Sequence, residues 1–134
     1  MTDRIPLALC PGLLLDERLW QHAVLALSDL ADCRVPDFSS QDTIGAMAES
    51  VLAAMPERFA LCGLSMGGYV ALEVMRRAPQ RVSRLALLDT RARLDTPDET
   101  ARRRGLLELA RERMGPHGLV ADACTEESDA LRVL

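Results

Sequence analysis

The segment Gly63-Leu64-Ser65-Met66-Gly67-Gly68 constrains this chain more than any other. A short apolar run, Phe59 to Cys62, leads straight into it, and a helical pattern from about Met66 to Ala78 follows, ended by Pro79. A chain that changes from strand to helix within so few residues must turn sharply, and the residue at the apex adopts a strained backbone. Glycines two residues to either side of Ser65 let neighbouring chain pass that close. The turn lifts the Ser65 hydroxyl clear of the sheet. It also aims the N–H of Met66, at a helix N-terminus, toward any oxyanion that forms nearby. An ordinary glycine-rich turn with an incidental serine has the same letters; the flanking strand and helix are what favour a serine placed for chemistry.

The rest of the chain alternates in the same way. Ile5 to Cys10 is a short apolar run stopped by Pro11-Gly12 and is predicted to be a buried strand. Asp16 to Leu27 carries Leu19, Trp20, Ala23, Val24 and Leu27 at helical spacing. Cys33 to Val35 reads as a weak strand ending at Pro36. Asp42 to Met55 reads as a helix capped by Asp42, with Ile44, Met47, Ala48, Val51, Leu52 and Met55 on one face. Arg84 to Leu88 is a fourth strand. Thr96 and Glu99 have capping-box spacing with Pro97 between them, which opens a helix running to Met114 and stopped by Gly115-Pro116. Glu126 to Val133 is a candidate for a last short helix. Strands alternating with helices imply parallel pairing through right-handed crossovers, so the expected architecture is α/β, a doubly wound, mostly parallel sheet of about four strands.

Composition removes several classes of function. The 134 residues suffice for one domain with a real core. A net charge of −4 gives no reason to expect nucleic-acid binding. The opening Met1-Thr2-Asp3-Arg4 lacks the layout of a signal peptide, and no apolar run is long enough to span a bilayer. Cys10, Cys33, Cys62 and Cys124 are scattered without a C-x-x-C pair, and only His22 and His117 could complete a metal site. No metal or other cofactor is expected, and a reducing cytoplasm is the default setting. Cys10 and Cys62 read as small apolar strand residues. A nucleotide-binding module is disfavoured, because the glycines make neither G-x-G-x-x-G nor a Gly-Lys-Ser/Thr loop.

Pro11-Gly12-Leu13 ends the first strand, as Gly63-Leu64-Ser65 ends the third. In the common doubly wound strand order, 2-1-3-4, the topological switch point falls between those two strands, and both loops open onto one crevice. Leu7 to Gly12, the helix containing Trp20 and Leu61 to Tyr69 together resemble the α/β-hydrolase superfamily, with the nearest likeness to small carboxylesterases of the pimeloyl-carrier-protein methyl ester esterase type. The resemblance runs from about Ile5 to Met114. It implies a partial α/β-hydrolase fold, with residues 1–95 as the N-terminal part of the core and residues 96–134 as the start of a helical lid and a tail. It also implies Ser65 as nucleophile, with Leu13 and Met66 giving the two oxyanion-hole N–H groups. Family members usually carry His-Gly in the first loop; here Pro11 replaces the histidine.

A serine hydroxyl needs a base to take its proton and an acid to orient that base. In the family the order is serine, acid, histidine, with acid and histidine after later strands, so the chain reads as C-terminally truncated. Asp89, ending the fourth strand, is where some relatives place the acid. His117 is the only histidine downstream of Ser65, in a turn-like setting; His22 precedes the nucleophile and suits surface or packing duty. Arg102-Arg103-Arg104 reads as a solvated helix face. Leu85 to Leu88 is apolar on both faces, the pattern of an interior strand, and left at an edge it would invite a second copy along Arg84 to Leu88. Two readings follow. One is a serine hydrolase that cleaves a small-molecule carboxylic ester through an acyl-enzyme on Ser65. The alternative is a catalytically incompetent half-domain that only binds or assembles.

Overall fold

Apolar residues two apart in a strand share a sheet face while adjacent ones take opposite faces, and helices form where the apolar spacing is three and four. The computed structural model describes residues 4–114. Strand β1 (Ile5–Cys10) is followed by a tight helical turn (Glu17–Trp20), α1 (Gln21–Ala26), β2 (Ala31–Arg34), α2 (Ile44–Ala54), β3 (Phe59–Leu64), α3 (Met66–Arg77), a second tight turn (Pro79–Arg81), β4 (Val82–Leu88) and α4 (Pro97–Met114). The strands are parallel and lie in the order β2-β1-β3-β4. That is the doubly wound order, with the switch point between β1 and β3. The candidate helix Glu126 to Val133, His117 and Cys124 lie outside the described residues.

The two sheet faces hold separate cores. On one, Ala8 and Cys10 of β1 and Phe59 and Leu61 of β3 pack against Ile44, Met47, Ala48 and Val51 of α2 and Val70, Ala71 and Val74 of α3. Each of these larger side chains contributes about 1.5–3 kcal/mol by leaving water. On the other face Leu9 and Cys62 pack with Trp20, supported by Leu7, Ala23, Val24 and Leu64. Cys10 and Cys62 are buried, one in each core, and burial pushes both thiols up from their ordinary range. They act as small apolar residues rather than nucleophiles.

Local chemistry moved several boundaries. Thr43, not Asp42, caps α2: its backbone is extended and its Oγ1 accepts the Ala46 N–H at 3.1 Å. Both residue types cap well, and burial of Ile44 sets the first turn one residue later. The stretch from Asp16 opens as a tight turn because the Asp16 carboxylate accepts the N–H of Arg18, two residues on. Strand β2 begins at Ala31 rather than Cys33, since Ala31 is buried and pairs with Ile5, a register that Asp32 and Arg34 concealed in the sequence. Arg103 is not simply a solvated residue; its Nε meets Asp95 Oδ2 at 2.6 Å.

Charged residues close the helix ends. The Arg81 guanidinium donates to the carbonyls of Leu52, Met55 and Pro56 at 2.8–2.9 Å and to that of Glu57 at 3.2 Å. Leu52, in the last turn of α2, and its cap Met55 have carbonyls that the helix end cannot satisfy, and Pro56 and Glu57 follow directly. In α4 the capping box is formed as expected: Glu99 Oε2 accepts the Thr96 N–H at 2.8 Å and Thr96 Oγ1 accepts the Glu99 N–H at 3.3 Å. Strand β4 lies at the sheet edge with Leu85, Leu87 and Leu88 each about 40% exposed. Among the described residues, no helix is long and apolar enough to cross a membrane.

Glu73 is buried on α3. Its carboxylate accepts from Arg76 Nε and Nη2 at 2.8 and 2.7 Å and from Arg77 Nε at 2.5 Å, while Arg77 Nη1 reaches Glu49 of α2 at 2.6 Å. The Arg76 hydrogen bond first, then Arg77, holds the Glu73 carboxyl below its ordinary value of 4.5. A carboxyl depressed on folding contributes its full stability above the ordinary value and loses it as pH falls toward the folded one. Glu73→Gln is therefore expected to cost about 1–2 kcal/mol at neutral pH. The acid limb of a urea-denaturation series below about pH 4.5 should flatten in this variant; an unchanged acid limb would assign that pH dependence to other carboxyls.

Candidate active site

Ser65 sits between the last residue of β3 and the first of α3, at φ 52° and ψ −115°. This is a backbone conformation that a side-chain-bearing residue reaches only at a cost of about 1–3 kcal/mol. The flanking glycines make it possible by removing atoms. A Cβ on Gly63 would lie 2.1 Å from the carbonyl oxygen of Gly67, and one on Gly67 would lie 2.1 Å from that of Cys10. The first turn of α3 is therefore seated directly on the exits of β1 and β3. Ser65 is exposed, whereas Met66, Gly67 and Gly68 are buried.

The loop after β1 comes alongside. Cys10 pairs with Gly63 in the sheet, so Pro11-Gly12-Leu13 and Leu64-Ser65 leave neighbouring strands at the same end. A Cβ on Gly12 would lie 3.3 Å from Leu64 Cδ2. The Leu15 N–H donates to the Gly12 carbonyl at 3.1 Å, closing a turn whose third residue, Leu14, has φ 58°. That turn consumes the Leu15 amide and leaves the Leu13 amide for other partners. Leu13 itself is half-buried against the α2–α3 core. Between this loop and the loop after β2 lies a cavity of about 350 Å³, lined by Gly12, Leu14, Leu15, Phe38 and Met66, with Asp16, Glu17 and Asp37 also in its wall. Its size falls within the range of small-molecule sites.

Two further candidates lie just after β4 and on α1. Asp89 follows β4 directly, exposed, at φ 45°, a conformation that Asp tolerates better than most residues. His22 is exposed on α1. Sequence reading missed Thr90, whose hydroxyl donates to the Ser65 carbonyl at 2.8 Å. It also missed the Asp37–Ser39 loop and the left-handed Leu14. Nothing in the letters marks a leucine for positive φ, and a threonine one residue past an aspartate carries no motif.

Known proteins share parts of this sequence and its fold. Two curated pimeloyl-[acyl-carrier protein] methyl ester esterases match segments of this chain. The one from Aromatoleum aromaticum is 39% identical over 59 residues, 44% of this chain and 24% of that protein. The one from Nitrosomonas europaea is 38% identical over 47 residues, 35% of this chain and 19% of that protein. A thermophilic esterase from Thermogutta terrifontis superposes with a TM-score of 0.76 at 25% identity, covering 94% of this chain and 64% of that one. The four-stranded parallel sheet and its helices match part of the α/β-hydrolase fold. The chain also superposes on the enol-lactonase from Burkholderia xenovorans LB400, with a TM-score of 0.66 at 22% identity over 97% of this chain and 64% of that one, a likeness of fold alone. No protein-family model matches it. It spans less than two thirds of the length of each of these four relatives.

In this fold the close approach at Gly67 should be intolerant of any side chain. Gly67→Ala places its new atom against backbone carbonyls of Cys10 and Pro11 rather than against a flexible side chain, and is expected to cost about 3 kcal/mol or more. Gly105→Ala on α4, where nothing lies within 4 Å, should instead stabilise by roughly 0.5–1 kcal/mol. Thermal and urea denaturation of the two variants checks both signs.

Proposed function

We propose that this chain carries the nucleophile and oxyanion-binding half of a serine esterase site, acting on a small-molecule carboxylic ester. One observation carries the reading: an exposed Ser65 with left-handed backbone at the β3–α3 turn, beside the β1 loop. Ser65 Oγ would add to the ester carbonyl carbon while a base takes its proton. The negative charge that develops on the carbonyl oxygen would be received by the N–H groups of Met66, at the start of α3, and Leu13, in the β1 loop. Collapse of the tetrahedral adduct expels the alcohol, which takes up the proton, and leaves an acyl group on Ser65. Water then releases the acid and restores the serine.

The cavity beside Met66 offers Leu14, Leu15 and Phe38 to an apolar acyl chain, which suits an aliphatic ester better than a compact ionic one. The names of the matched esterases point the same way, toward an acyl methyl ester. Helix α4, tied to the β4 exit by the Arg91–Glu99 and Arg103–Asp95 ion pairs, is the proposed start of a lid. Asp89 and His117 stay as the candidate acid and base. A second reading, binding without turnover, draws on His22, the one histidine among the described residues. It is exposed on α1, while the helix that Ser65 opens, α3, packs on the opposite sheet face.

The test is covalent. A fluorophosphonate probe phosphonylates an activated serine, forming an Oγ–P bond and releasing fluoride. Intact-mass analysis of the chain, with circular dichroism to establish folding, should show one adduct that is absent in Ser65→Ala. A folded chain that stays unlabelled would sink the hydrolytic reading in favour of binding alone.

A further inference from the structure

We propose that Thr90 is a positioning residue for the Ser65 turn: its hydroxyl fixes the plane of the Ser65–Met66 peptide and so sets where the Met66 N–H points. Both backbone polar groups of Ser65 are held from the end of β4. The Ser65 N–H donates to the Leu88 carbonyl at 3.0 Å, and the Ser65 carbonyl accepts from Thr90 Oγ1 at 2.8 Å. The first bond orients the peptide before Ser65 and the second orients the peptide after it. Together they fix φ and ψ of the one residue whose conformation the turn requires.

The second peptide unit is the one that matters chemically. A peptide is planar and trans, so the carbonyl of Ser65 and the N–H of Met66 lie in one plane and point in opposite directions. Anchoring the carbonyl on Thr90 aims that N–H outward from the helix start. A hydrogen bond accepted by the carbonyl also polarises the amide and strengthens its N–H as a donor. The Gly68 N–H shares the same carbonyl at 2.9 Å, but it belongs to the helix and moves with it. Thr90 is the anchor from outside.

Two further features support this role. Asp89, between the two anchoring residues, has φ 45°; a left-handed residue there bends the exit of β4 where Leu88 and Thr90 both reach Ser65. Gly68 lacks the atom that would displace Thr90: a Cβ there would lie 2.4 Å from Thr90 Oγ1 and 2.5 Å from its Cγ2. The chain beyond is held by Arg91, which meets Asp95 at 2.9 Å and Glu99 at 2.6 Å. The catalytic consequence rests on the esterase reading above, while the geometry can be measured without turnover.

Thr90→Val keeps both branches of the side chain against Gly68 and removes only the hydroxyl; Thr90→Ser keeps the hydroxyl. In amide NMR spectra the Met66 signal should shift in Thr90→Val and return in Thr90→Ser. Phosphonylation of Ser65 should slow roughly three- to tenfold in Thr90→Val, the loss expected for one hydrogen bond, and recover in Thr90→Ser. A Met66 signal that stays put in Thr90→Val, or Thr90→Ser behaving like Thr90→Val, overturns the proposal. So does a shifted Met66 amide with an unchanged labelling rate. If the wild-type chain is folded yet unlabelled, the esterase reading falls alone, and the Met66 amide still decides the role of Thr90.

Discussion

Everything at the carboxyl edge of this sheet depends on how closely the start of α3 approaches the ends of β1 and β3. Hypothetical Cβ atoms on Gly63 and Gly67 would each stand 2.1 Å from a backbone carbonyl oxygen, far inside any contact that real side chains make. Removing those two atoms brings the helix down onto the strands. With the helix seated there, Ser65 has nowhere to go but upward, and its backbone is forced to positive φ. The exposed serine is thus a consequence of packing beneath it. Its two glycines serve the fold and the site with the same missing atoms.

The sheet under that turn is asymmetric. Its α2–α3 face is closed by two helices whose apolar stripes interlock over β1 and β3, whereas the opposite face is covered by the short α1 and Trp20. The edges differ as well. Strand β2 alternates buried or half-buried residues with exposed Asp32 and Arg34, the charged pattern that protects an edge from unwanted pairing. Strand β4 keeps Leu85, Leu87 and Leu88 and, among the described residues, pairs with β3 alone. Its one clear duty within the described residues lies at its end, where Leu88 and Thr90 grip Ser65.

Much of this was legible in the letters, for a physical reason. The alternation of apolar runs and helical stripes reports burial, and burial drives both the strand order and the two cores; Ile5–Cys10 was read to the residue. The serine turn was legible because glycine is the one residue whose absence of a side chain can be read as close approach. The choice between Asp42 and Thr43 as cap was not, since both suit the position and only the burial of Ile44 decides. The Thr90 hydroxyl was hidden for a different cause. Its partner is a backbone carbonyl 25 residues away, and hydrogen bonds to the main chain leave no pattern in side-chain identity.

Strain offers a last connection between fold and site. Among the described residues, the non-glycine residues with positive φ are Leu14, Ser65 and Asp89. They fall in the exits of β1, β3 and β4, three neighbouring strands, all at the carboxyl edge. Each conformation costs about 1–3 kcal/mol, offset by the packing of the two cores below. Random irregularity would scatter such residues among all the loops. Their concentration at one edge of the sheet fits a framework stiff enough to hold three strained turns together, with Leu14 of the first turn also lining the cavity beside Met66.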